Sequence, residues 1–135
     1  MKIELTDMEF RRLLDMAYIG NWILNSTRGV DRFNDYDNVE SLLFSYCSSC
    51  DMSSLVDTSS GVAEPSAAFE NGGIHEAIAD YEDSVFFEIL AEELARRDMD
   101  FEPISPDNLN ELTNRIDEYI EEFEQNGIDN ISLDK

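Results

Sequence analysis

Apolar residues recur at three- and four-residue steps in several stretches of this chain, each bounded by residues that start or stop helices, and that rhythm points to α-helices. The first stretch opens at Thr6-Asp7-Met8-Glu9, a capping box in which Thr6 accepts from the Glu9 amide while Glu9 reaches back; Leu5 and Phe10 flank it as a staple. Phe10, Leu13, Leu14, Ala17, Asn21 and Leu24 follow at helical spacing, and Met16, Ile19 and Ile23 widen the apolar surface. Gly20 costs helix propensity, which points to close approach of a neighbouring element, and Trp22 reads as a core anchor.

A second capping signal at 37–40 precedes Val39, Leu42, Leu43, Tyr46, Cys47 and Cys50. The serine-rich stretch 51–65 has no sustained period and reads as an irregular connection. Short helices are expected over 66–70, stopped by Asn71-Gly72-Gly73, and over 74–81. A longer one over about 83–97 turns Phe86, Phe87, Leu90 and Leu94 inward and pairs Glu92 with Arg96 and Glu93 with Arg97. Ser105 and Pro106 open the last helix as N-cap and first residue, Leu109, Leu112, Ile116, Tyr119, Ile120 and Phe123 form its seam, and Asn126-Gly127-Ile128 is a Schellman-type stop. The termini alternate, with Ile3 and Leu5 at one end and Ile131 and Leu133 at the other, which suits a small strand pairing. The expected fold is all-α: a compact bundle of about four to six helices in a single domain, 1–135, with a minor two-stranded pairing of the termini.

At 135 residues and 42% hydrophobic the chain can bury one continuous core. Lys2 and Glu4 interrupt the start, so no signal peptide is read there, and the longest uncharged run, 16–27, is too short for a membrane span. A cytoplasmic protein with reduced thiols is expected. Cys47 and Cys50 fall on an apolar stripe and close a helix, whereas a redox C-x-x-C opens one, so both read as core residues.

The charge is segregated. Five basic and five acidic residues cancel through residue 34, so the whole net charge of −22 falls after it, on 26 acids against four basic residues. Such a field repels nucleic acid and anionic membranes and steers toward cationic partners. Direct nucleic-acid binding and membrane association are therefore not expected.

Specific chemistries fail on the letters. The Asp98-Met99-Asp100-Phe101-Glu102 run resembles the start of a calcium loop, but Pro103 stands where glycine is needed and Leu109 where the bidentate glutamate belongs. Among 31 carboxylates, pairs at any spacing arise by chance, so none is assigned as an acid-base dyad. His75, the one histidine, lies beside Glu76 and Asp80 and reads as a surface or capping residue. No phosphate-binding loop is present. The sequence therefore assigns no catalytic residue, no metal ligand and no cofactor.

The informative departure from a stable design is in the last helix, where Glu121, Glu122 and Glu124 crowd an end at which acids oppose the helix dipole. Asp117, Glu121 and Glu124 recur at helical steps, as do Glu118 and Glu122, giving carboxylates about 5–6 Å apart that can imitate a phosphate strand. Glu88 with Glu92, and Glu76 with Asp80 and Asp83, extend the field.

Three stretches also carry a likeness: Leu5-Thr6-Asp7-Met8-Glu9-Phe10 running to Tyr18-Ile19-Gly20-Asn21-Trp22; Phe86-Phe87-Glu88 to Ala95-Arg96-Arg97-Asp98; and Glu121-Glu122-Phe123-Glu124 to Asn126-Gly127-Ile128-Asp129-Asn130. They resemble a family of small acidic bacterial proteins, often found in mobile-element settings, that carry no assigned function. The resemblance implies a shared fold and an intracellular bacterial setting, and it transfers no catalytic or binding residue.

The functional expectation is a non-enzymatic interaction protein presenting these carboxylates to a basic, nucleic-acid-binding partner, in the manner of anti-restriction or anti-CRISPR inhibitors. Two alternatives stand beside it. One is a regulatory or assembly adaptor that binds through an apolar surface around Trp22, Ile19 and Ile23, and the other is a metal-dependent hydrolase using Glu118 and Glu121.

Overall fold

Thr6 caps α1 (Asp7–Asn25) as its letters require: its hydroxyl accepts from the Glu9 amide at 3.2 Å, and Glu9 accepts from the Thr6 amide at 2.8 Å. The computed structural model describes residues 1–134. In them α1 is followed by α2 (Asn34–Ser45), strands β1 (Val56–Asp57) and β2 (Glu64–Pro65), a single turn α3 (Ala67–Phe69), α4 (His75–Asp98) and α5 (Leu109–Asn126). The fold is mostly helical, with one small antiparallel pairing. By packing, the chain forms two compact units, Met1–Ile78 and Ala79–Lys135.

The first unit is built on Leu14 and Tyr18 of α1, Phe44 of α2, Cys47, Phe69, Ile74 and Ile78. Phe44 meets Phe69 edge to face at 4.9 Å, and Tyr18 meets Phe69 likewise at 5.2 Å. The buried stripe of α1 is Leu14, Tyr18, Asn21 and Asn25, so the apolar flank read from Met16 and Ile23 lies outward, at 70% and 63% exposed. Trp22 and Ile19 are half-buried against the core. Gly20 answers to no neighbour, since a Cβ placed on it would meet nothing within 4 Å.

The strand pairing sits in the serine-rich stretch rather than at the termini. Val56 pairs with Pro65 and Asp57 with Glu64, while residues 1–6 and 131–134 lie in no strand. Turn chemistry explains this: Asp57 accepts from the Ser59 amide at 2.8 Å, and Gly61, with φ +88°, donates to the Thr58 carbonyl. The Ser66 amide then donates to the Leu55 carbonyl at 3.0 Å, and the Ser66 hydroxyl caps α3 at the Phe69 amide. The terminal segments are short and leave Ile3 and Leu133 exposed.

One helix, α4, runs where two were expected. Residues 79–84 are exposed on every side, so no apolar stripe carries the pattern from Ile78 to Val85. Within the second unit Ala95, Met99 and Leu112 are buried together, Ile116 and Tyr119 cover them, and Phe87 lies 5.4 Å from Phe123. Phe86, expected inward, is exposed. The expected ion pairs also differ: Arg96 reaches Glu93 at 3.8 Å, and Arg97 turns to its neighbour Asp98 at 2.8 Å.

The last helix begins at Leu109, not Pro106. The Asn108 side chain turns back, accepting from the Ser105 amide at 2.9 Å and donating to the Pro103 carbonyl, which holds 105–108 as a separate turn. At the far end Gly127, with φ +56°, donates to the Phe123 carbonyl at 2.9 Å; this single bond closes the helix, and Ile128 is left exposed.

Because Gly20 lies in mid-helix with open space around it, Gly20→Ala is expected to stabilise the protein by about 0.5–1 kcal/mol, read from urea denaturation. An unchanged or lowered midpoint would show that α1 needs the glycine.

Candidate functional site

Four polar residues organise the junction of α1 and α2. Asn25 is fully buried. Its amide donates to the Asn21 side-chain carbonyl at 2.7 Å and to the Phe33 carbonyl at 3.0 Å, and it accepts from the Phe33 amide at 2.8 Å. One side chain thus satisfies both backbone groups of the residue that opens α2. Asn21 donates on to Asp37 at 2.9 Å, and Arg32 grips the same carboxylate at 2.7 and 2.9 Å. The Arg32 guanidinium, aided by Asn21 and Asn25, holds the Asp37 carboxyl below its usual range. The capping signal at 37–40 falls inside α2, which starts at Asn34, and Asp37 serves this network instead.

Beside the network lies an open cleft of about 680 Å³ walled by α1, α2 and the segment 62–65. Tyr18 and Trp22 line it from α1, Glu40 from α2, Glu64 from β2, and Glu70 from the wide turn after α3. The aromatic wall is braced by His75, whose Nε2 is 2.7 Å from the Tyr18 hydroxyl and whose ring meets the Trp22 edge to face at 4.9 Å. Burial, with the carboxylates of Glu70 and Glu40 nearby, pushes the Tyr18 phenol up to about 12. Burial likewise raises the Glu40 carboxyl above its ordinary value, the nearby Asn21 amide opposing the shift. His75 is therefore a bracing residue of the cleft wall. The sequence offered one signal for all this, two asparagines four apart on a buried stripe; the partners they choose are distant in the chain.

The carboxylates singled out from the sequence are placed as follows. Glu76, Asp80, Asp83, Glu88 and Glu92 all lie on α4 and are exposed; Asp117, Glu118, Glu121 and Glu124 lie exposed on α5. Glu122 is half-buried and occupied, accepting from Asn126 at 3.1 Å and from Asn130 at 2.6 Å, so that it ties down the segment after the helix. None of the ten is within ion-pair distance of a basic group among the described residues. The arginines of the second unit are taken by Glu93, Asp98 and Glu111.

An apolar groove of about 390 Å³ is lined by Ile3, Leu5, Met8, Leu13 and Met16 with the stems of Glu9 and Arg12. It lies at the start of α1, away from the Trp22 position that the sequence suggested for an apolar surface. Cys47 is buried with its thiol pushed up by burial, whereas Cys50 is half-buried at the end of the turn after α2; both are free thiols.

Fold and site together define a mostly helical, strongly acidic protein built around a buried amide network and an open, negatively lined cleft. Compared with protein-family models, with curated proteins and with solved structures, the chain matches none. Among the described residues no helix is long and apolar enough to cross a membrane, and no three of His, Cys, Asp or Glu form a group that could hold a metal ion.

Two outcomes follow for stability. Asn25→Ala strands the Phe33 backbone groups and is expected to cost about 1–3 kcal/mol in urea denaturation; a smaller loss would mean that the α1–α2 connection holds itself. Glu40 has the opposite sign. Its folded-state pKa is raised, so the stability it contributes is present below the unfolded value of about 4.3 and is lost as pH rises through the folded value. Glu40→Gln is expected to be more stable than the parent at pH 7 and equal to it near pH 3.5. An advantage that did not shrink on acidification would show that burial of charge is not its cause.

Proposed function

We propose that this chain is a non-enzymatic acidic interaction protein that occupies the nucleic-acid site of a basic partner, in the manner of anti-restriction or anti-CRISPR inhibitors. The observation that carries the reading is the set of unpaired carboxylates on α5. Glu122 is tied down by Asn126 and Asn130 and Glu121 accepts only a 3.4 Å hydrogen bond from Gln125, so that Asp117, Glu118, Glu121 and Glu124 lie exposed within eight residues, or one charge per about 3 Å of helix axis at 1.5 Å per residue. A DNA strand offers one phosphate per about 3.4 Å of axis. The exposed acids of α4 add charge of the same sign.

Retention of acids where they oppose the α5 dipole favours a role beyond solubility, because the helix ends with no basic residue in its last turn. The acidic surface steers toward cationic surfaces and away from nucleic acid itself. An intracellular setting, where Cys47 and Cys50 stay reduced, and a place among the small acidic bacterial proteins it resembles both accord with this reading. The groove at the start of α1 favours a second one, an adaptor that associates through apolar surface. Ionic strength separates the two, since carboxylate mimicry weakens steeply with salt and apolar association does not.

The test is a partner recovered by co-purification from the native host and challenged with DNA. Combined Glu118→Gln, Glu121→Gln and Glu124→Gln substitution is expected to weaken partner binding at least about tenfold at low salt, with DNA competing for the same site. The same substitutions at Glu121 and Glu124 should raise stability at low salt by about 0.3–1 kcal/mol each by relieving the dipole. Partner binding that survives neutralisation and is indifferent to DNA would overturn the proposal.

A further inference from the structure

We propose that the cleft of the first unit receives the cationic head of an arginine side chain from a polypeptide, its alkyl stem lying along the aromatic wall. The sign of the cleft comes first. Asp37, Glu40, Glu64 and Glu70 line it against a single guanidinium, that of Arg32, which Asp37 already holds through two hydrogen bonds. Glu40, Glu64 and Glu70 make no ion pair among the described residues. An anionic ligand is therefore repelled, and a cation finds carboxylates with no cationic partner, Glu64 being met only by the Ser60 hydroxyl at 3.2 Å.

The walls decide which cation. Tyr18 and Trp22 face a segment of Val62, Ala63 and Pro65, so much of the surface is aromatic or aliphatic. Aromatic rings attract guanidinium groups and pack against methylene stems, while a small hydrated metal ion gains nothing from them. The volume of about 680 Å³ is ample for such a side chain and its flanking backbone. The wall is also held in place before any ligand arrives, by the Tyr18 hydroxyl at 2.7 Å from His75 and the His75 ring against Trp22, which reduces the ordering cost of binding. Burial raises the Glu40 carboxyl above its ordinary range, and an incoming cation opposes that shift.

This inference does not rest on the α5 reading, because every residue it uses lies in Met1–Ile78. Its test needs no native partner. The chain has one tryptophan, and Trp22 lines the cleft, so its emission reports occupancy. The full chain is titrated with N-acetyl-Gly-Arg-Gly-amide and with the citrulline peptide, which keeps the shape of arginine and lacks its charge. The arginine peptide is expected to give a saturable change and the citrulline peptide none. Glu40→Gln and Glu64→Gln should each raise the Kd about fivefold or more, whereas Glu102→Gln, outside the cleft, should leave it unchanged. Urea midpoints of the variants check that they are folded. No saturation, an equal response to citrulline, or a Kd indifferent to Glu40→Gln would each overturn the proposal. Tighter binding of free spermidine than of the peptide would also overturn it, by making the ligand a small amine.

Discussion

The first unit depends on one buried amide. Asn25 carries no apolar surface to the core, yet it is fully buried because it completes the hydrogen bonds of Phe33 and passes a further bond to Asn21. Without it, the connection between α1 and α2 would present an unpaired N–H and carbonyl where the two helices meet. With it, α2 starts at a fixed angle and Asp37 falls within reach of Asn21 and Arg32. A buried polar network specifies geometry more sharply than apolar packing can, because each partner must be met in direction as well as distance. The cleft adjoins that constraint: Asn21, Arg32 and Asp37 of the network line it, together with Glu40 from α2, Glu64 from β2 and Glu70 from the turn after α3.

Charge and fold are related differently in the two units. In the first, the arginines are spent on neighbours: Arg11 on Asp15, Arg28 on Asp31 and Arg32 on Asp37. Arg11 and Arg28 also lie over the rings of Phe69 and Phe33. In the second, three arginines face a much larger number of acids, and the remainder are left to solvent. Exposed ion pairs contribute little to stability, so their scarcity costs the fold little.

What was legible in the sequence was local. Thr6 and Glu9 bond across three residues, and Gly127 stops α5 within one turn, so both could be read from adjacent letters. The start of α5 was misplaced because Ser105 and Pro106 are good openers by type, whereas Asn108 uses its side chain to brace the preceding turn. The unity of α4 was hidden because its middle has no buried face, and periodicity is blind where nothing is buried. The strand pairing was assigned to the alternating termini, but alternation alone gives a strand no surface to cover. The carboxylate faces could be found from spacing within one helix. The cleft could not, since Glu40, Glu64, Glu70 and Tyr18 come together only through packing of four separate elements.

The unpaired carboxylates of α5 have a consequence for the thermodynamics of any encounter. Negative groups at that density keep a local excess of small cations close to the surface, at the expense of the freedom those ions have in bulk solution. A basic surface settling there replaces them and returns them to solvent. The attraction would then be driven chiefly by the mixing entropy of released ions, greatest in dilute electrolyte, and would carry little of the heat expected from forming ion pairs.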